Sequence, residues 1–197
     1  MLRKSTLLAA VMLAMPATHA APLQAAVTAQ SDAGFVVRLT AETTAPPAET
    51  WRMLVSPAKW WSSDHTWSHD AANLYLDAQA SGCFCEKLPK PADAPVGQRI
   101  GSAEHMHVIF ADPQGGILRM SGALGPLQGE ALNGTLTVTL VKTETGTRIE
   151  LEYMVGGYMR LKAEAIAPAV DAVLGQQLAS LVAVLNAAPP TESVTPR

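Results

Sequence analysis

The chain has 197 residues and a formal charge of −3, from 17 Asp and Glu against 14 Lys and Arg; 48% of it is hydrophobic, 16% charged and 5% aromatic. Those proportions exclude a disordered chain, a basic nucleic-acid binder and a coiled coil. Two cysteines exclude a disulfide-scaffold miniprotein and any four-cysteine zinc module.

Residues 1–20 have the layout of a secretory leader. Arg3 and Lys4 supply the positive start, Thr6 to Met15 is apolar and uncharged, Pro16 breaks the run, and Thr18 and Ala20 are the small residues of a cleavage site. The apolar run is about half the ~20 residues that span a bilayer, and no later segment reads as long and apolar enough to do so. The expected location is therefore the bacterial periplasm or the exterior, with no stable membrane insertion. Residues 21–33, rich in Ala, Gln and Thr, read as a linker, and residues 187–197, with three prolines, as a disordered tail. The stretch 34–186 reads as one domain.

Within it, Phe35, Val37 and Leu39 alternate as in a strand. Pro46 and Pro47 suit the first turn of a helix that carries Trp51, Leu54 and Val55, and Pro57 ends it before Trp60 and Trp61, expected on a second short helix. From Leu74 the period changes to two. Runs at 74–78, 83–88, 105–110, 117–124, 135–141 and 148–155 are separated by turn residues such as Ser81-Gly82, Asp112 to Gly116 and Glu144 to Gly146, which predicts an antiparallel meander. From Leu161 to Asn186 the apolar residues Ile166, Val170, Val173, Leu174, Leu178, Leu181 and Leu185 recur at helical spacing. The fold class is α+β: a strongly curved antiparallel sheet of about seven strands wrapped on a long C-terminal helix, with two short helices after the first strand. The gap between sheet and helix is a natural apolar pocket.

That order resembles the helix-grip fold of the START-like (SRPBCC) superfamily. The strings at 60–66 (WWSSDHT), 82–86 (GCFCE), 104–106 (EHM), 118–127 (LRMSGALGPL) and 153–158 (YMVGGY) are similar to its exported bacterial branch, usually filed with activators of heat-shock-protein ATPase or with polyketide cyclases. The resemblance implies the fold over about 34–186 but no single activity. A cytosolic, ATP-driven chaperone partner does not fit an exported chain.

Nucleotide-binding, nucleophile-elbow and HExxH motifs are absent from the sequence, and no cofactor is expected. Trp51, Trp60 and Trp61 are rings suited to a pocket mouth. Glu86 alternates with Phe84 and Leu88, so it is expected on the apolar face, where burial would raise its pKa. There it is a candidate acid/base or ligand-orienting group, with Arg119, His105 or Tyr153 as partner. Phe84, Met106, Arg119, Tyr153, Leu174 and Leu178 complete the expected ligand-binding set. His65 and His69 stand in a His-x-x-x-His spacing, but the surrounding serines make that segment a solvated loop.

Cys83, Cys85, His105 and His107 form the most distinctive pattern. Residues two apart on a strand share a face. A regular register would set Cys83 opposite His107 and Cys85 opposite His105, with Met106, Val108 and Phe110 in the core; a slip of one residue would set Glu86 opposite His105. The expectation is a thiol pair with no resident metal, ahead of a strained Cys83–Cys85 disulfide and of a metal site. The function expected first is a binding module for a hydrophobic or amphipathic small molecule. The alternatives are a cyclase- or isomerase-like enzyme using Glu86 with His105 or Tyr153, and a metal or redox protein acting through the Cys and His pairs.

Overall fold

In the computed structural model, residues 24–187 are described; the leader, and the expected tail beyond residue 187, lie outside them. Strands β1 (Gln24–Ser31) and β2 (Gly34–Thr43) lead into helix α1 (Pro47–Leu54). Single 3₁₀ turns at Pro57–Lys59, Ser63–His65 and Ala71–Asn73 follow, in place of the expected second helix. Then come β3 (Leu74–Leu76), β4 (Cys83–Leu88), β5 (Gly101–Asp112), β6 (Ile117–Ser121), β7 (Ala131–Lys142), β8 (Thr147–Tyr158) and helix α2 (Ala163–Ala187). All eight strands form one antiparallel sheet in the order β1-β2-β8-β7-β6-β5-β4-β3. The eighth strand arises because 24–31, expected within a linker, pairs with β2 as an edge strand. Its weak alternation hid it, since an edge strand needs little apolar surface.

The inner face carries the core. Phe35, Val37 and Leu39 of β2, Leu118 and Met120 of β6, Leu136 and Val138 of β7, and Ile149, Tyr153 and Val155 of β8 are all buried there. Tyr153 is fully enclosed, and its hydroxyl donates to the Gly122 carbonyl (3.3 Å) and accepts from the Leu124 N–H (3.1 Å). Its ring lies over Gly134, where a Cβ would sit 2.4 Å from Cε2. Tyr153 is therefore a structural pin between β8 and the turn after β6.

Helix α2 divides its apolar stripe. Leu174, Leu178, Leu181 and Leu185 are buried, whereas Ile166, Val170 and Val173 are half-buried. Against the expectation that no segment after the leader has the length and apolarity to cross a bilayer, α2 has both. Here it lies on β1 and β2. Its C-terminus is tied down by Asn186, whose Oδ1 accepts from Thr43 Oγ1 (2.8 Å) and the Thr44 N–H (3.2 Å).

Leu178→Asp places an unpaired charge in this interior and is expected to lower unfolding free energy by more than ~3 kcal/mol. Exposed Ala179→Asp on the same helix is expected to change it by less than ~0.5 kcal/mol. Urea unfolding of both variants checks the assignment; equal midpoints would mean the helix face is misassigned.

Candidate functional site

The site is built on the β4–β5 pair. Cys83 lies opposite His107 and Phe84 opposite Met106, but Cys85 then faces Glu104 and Glu86 faces Ala103. His105 is the extra residue of a β-bulge, which bends the strand and re-aims its side chain. In a regular strand His105 and His107 would share a face. Here His105 and Met106 are both buried, while Glu104 and His107 are exposed. Gly122 makes room for the bulge: a Cβ there would meet the His105 carbonyl at 2.7 Å and the Met106 Cα at 2.9 Å. A second irregularity, between Val108 and Phe110, turns Phe110 outward, so it is exposed and not in the core as expected.

Turned inward, His105 meets Glu86. Nε2 lies 2.9 Å from Glu86 Oε2, with the carboxylate fully enclosed and the imidazole nearly so. The Trp67 N–H donates to the same Oε2 (3.0 Å), and the Ser68 N–H donates to Oε1. Burial pushes the Glu86 pKa up, but hydrogen bonds from Ser68, the Trp67 N–H and His105 outweigh it and hold the carboxyl below the usual 4.5. This reverses the expected raised value, because the backbone of the 67–68 segment supplies donors that no side-chain pattern reveals. Burial holds His105 below its ordinary 6.5, although the hydrogen bond and charge of Glu86 pull the other way. The pair is thus a carboxylate beside a neutral imidazole, with Nε2–H donating to Glu86. Nδ1 makes no hydrogen bond among the described residues.

The ring of His105 forms part of the wall of a cleft of about 360 Å³. One side is Trp61 and the Asp64 to Trp67 segment, another the Leu124-Gly125-Pro126 turn, and the third Ile166, Val170, Val173 and Leu174 of α2. The half-buried residues of the helix stripe are therefore cleft lining. A volume of that size falls within the ~300–1,000 Å³ range of small-molecule sites. Deeper between sheet and helix, a second cavity of about 40 Å³ shares Trp61 and Leu174 with the cleft and is lined also by Trp60, Phe84, Leu178 and Gln177. It is too small for a ligand, so the roomier space is the cleft beside the 64–67 segment and the Leu124–Pro126 turn. Gln177 is almost fully enclosed there; its Oε1 accepts from the Ser62 N–H (2.8 Å).

The expected ligand-binding residues separate accordingly. Trp61 and Leu174 line both spaces, and Trp60, Phe84 and Leu178 line the inner one. The ring centroids of Trp60 and Trp61, Trp61 and Phe84, and Phe84 and His105 lie 5.4, 5.4 and 5.1 Å apart, a continuous aromatic path to the pair. Trp51 and Met106 are buried in the core and border neither space. Arg119 is exposed on the outer face, donating to Thr137 Oγ1 (3.0 Å), and does not partner Glu86. Tyr153 has both hydrogen bonds spent on backbone, and burial pushes its pKa up to about 12, so it is not the partner either. His65 bonds Gln176 on α2 (2.9 Å), and no metal-ligand cluster among the described residues contains His65 or His69.

Cys83 and Cys85 are joined as a disulfide, against the expected thiol pair. The bent strand brings their Cα atoms to 5.4 Å. A regular strand would hold them ~6.6 Å apart, near the upper limit for the bond. Of the four candidate metal ligands, His105 is on the opposite face of the sheet, and Glu104 stands in its place.

Solved structures share this architecture. Protein CV1439 of Chromobacterium violaceum superposes with a TM-score of 0.51 at 18% identity, covering 78% of this chain and 98% of its own. An uncharacterised protein of Rhizobium leguminosarum gives 0.52 at 18% identity over 80% and 98%. CalU16 of Micromonospora echinospora gives 0.53 at 16% identity over 86% and 88%. The likeness is one of fold. No family model matches the sequence, and no curated protein matches it.

The two shifts of the buried pair have one sign. The unfolded chain protonates His105 near 6.5 and Glu86 near 4.5, and the folded chain resists both, so the unfolded state binds more protons. Stability is expected to be full above about pH 6.5, to fall as pH drops from there towards the folded pKa of His105, and to fall again below about 4.5 as pH passes the folded pKa of Glu86. His105→Phe should remove the upper limb and keep the lower one. Urea midpoints between pH 4 and 8 check this; a wild-type profile flat from ~7 to ~5 would contradict the assigned neutral imidazole.

Proposed function

We propose that the chain is a START-like (SRPBCC) helix-grip protein that binds a small amphipathic molecule, its apolar body in the cleft and a hydrogen-bond donor, such as a hydroxyl, on His105 Nδ1. The observation that carries the reading is the cleft itself: about 360 Å³, largely apolar walls, and the His105 imidazole, whose Nδ1 has no hydrogen-bond partner among the described residues. Fixing Nε2–H on Glu86 fixes the tautomer, which makes Nδ1 an acceptor. The fold shared with the solved structures is consistent with this superfamily. The leader-like pattern of residues 1–20 supports an exported protein whose ligand lies outside the cytosol, a setting that argues against a nucleic-acid or chaperone partner.

An apolar naphthalene-type dye is expected to bind the folded protein saturably, at micromolar scale. Val170→Trp, which fills the cleft from α2, should abolish binding while leaving the fold intact. His105→Phe should weaken a hydroxyl-bearing dye by roughly 2–10-fold and a purely apolar dye much less. No saturable binding by folded wild type, or unchanged binding in Val170→Trp, would overturn the reading.

The Glu86–His105 distance of 2.9 Å favours one second reading, an enzyme of the cyclase or isomerase kind. There the carboxylate orients the imidazole and Nδ1 takes a substrate proton. Glu86→Gln separates the two readings: binding without turnover loss supports a binding protein, and abolished turnover with binding retained supports the enzyme.

A further inference from the structure

The outer face of the same strand pair holds a second constellation. The bulge that turns His105 inward leaves Glu104 opposite Cys85 and His107 opposite Cys83. In a regular strand, residues three apart point to opposite faces. Here Glu104 and His107 share one, with His107 Nδ1 3.4 Å from Glu104 Oε1. The Cys83 and Cys85 sulfurs and a Glu104 carboxylate oxygen all lie within 4.8 Å of one another. Both Glu104 and His107 are about half exposed, so an ion reaches them from solvent.

We propose that this face is a redox-gated zinc site, closed while Cys83 and Cys85 are bonded and opened by their reduction, with Cys83, Cys85, Glu104 and His107 as ligands. Two thiolates, one imidazole and one carboxylate are the mixed donor set that tetrahedral Zn²⁺ accepts; the carboxylate disfavours Cu⁺. The steps balance. A dithiol reductant donates two electrons and two protons and closes its own disulfide; the Sγ–Sγ bond of Cys83 and Cys85 breaks and two thiols form. Zn²⁺ then displaces both thiol protons to solvent, leaving two thiolate ligands. In the oxidised chain only Glu104 and His107 remain as donors, too few to hold the ion. The site stands on the face opposite the cleft and does not depend on what the cleft binds.

The test uses the purified chain, oxidised or reduced with a dithiol that is then removed anaerobically, loaded with zinc chloride and desalted. Elemental analysis is expected to find one zinc per reduced chain and none on the oxidised chain. Cobalt in place of zinc should show a thiolate charge-transfer band on the reduced chain. Glu104→Gln and His107→Ala keep the disulfide intact, so their folding is checked in the oxidised form. Losing a mere outer-shell partner costs ~10–100-fold, so each is expected to weaken zinc binding to the reduced chain by at least ~10-fold. Absence of stoichiometric zinc on the reduced chain, equal zinc on the oxidised chain, or unchanged affinity in both variants would overturn the proposal.

Discussion

One extra residue in β5 organises the working part of this molecule. Between Phe84–Met106 and Cys85–Glu104 the register changes by one, and His105 is the residue left over. A regular β5 would send His105 outward beside His107 and leave Glu86 without an imidazole partner. Burying a carboxylate without partners costs several kcal/mol, and the usual outcome is protonation. The bulge supplies one partner, and the 67–68 backbone supplies the others. Fully hydrogen-bonded, the carboxylate stays ionised although it is fully buried.

That satisfied charge has a structural consequence. Trp67 and Ser68 belong to a segment of single turns with little regular structure of its own. Their N–H groups end on a strand carboxylate 19 and 18 residues later, so Glu86 anchors one wall of the cleft. Tyr153 anchors another, through Gly122 and Leu124 beside the Leu124–Pro126 turn. The third wall is α2, held at its far end by Asn186. Each wall is fixed by a polar contact, and most of the surface between them is apolar. This is the division of labour that a small-molecule site requires.

The regular parts of the fold were readable because their periods are. β2, β4, β7, β8 and α2 follow the alternation or helical spacing of their apolar residues, and Glu86 was placed inward by its register with Phe84. The rest was not readable. Strand 24–31 lies at an edge, where burial imposes little pattern. Helix residues Ile166, Val170 and Val173 carry the same apolar signal whether they face a core or a cleft. The bulge leaves no local mark in the residues around 105; its trace is Gly122, just after the neighbouring strand β6, and its consequences spread to Glu104, His107, the Cys83–Cys85 bond and the pKa of Glu86. Arg119 takes the outer face because alternation fixes which residues oppose, and not which face of the sheet a polar one takes. The donors to Glu86 are main-chain groups, which residue identity cannot announce.

The most direct test is the protonation state of one imidazole. Long-range ¹H–¹⁵N spectra of the five histidines, assigned by His105→Phe, report tautomer and charge at each ring. The account predicts that at pH 6.5 the His105 ring is mostly neutral, with its proton on Nε2 and Nδ1 bare. A His105 ring that is mostly charged at pH 6.5, or carries its proton on Nδ1, would contradict it.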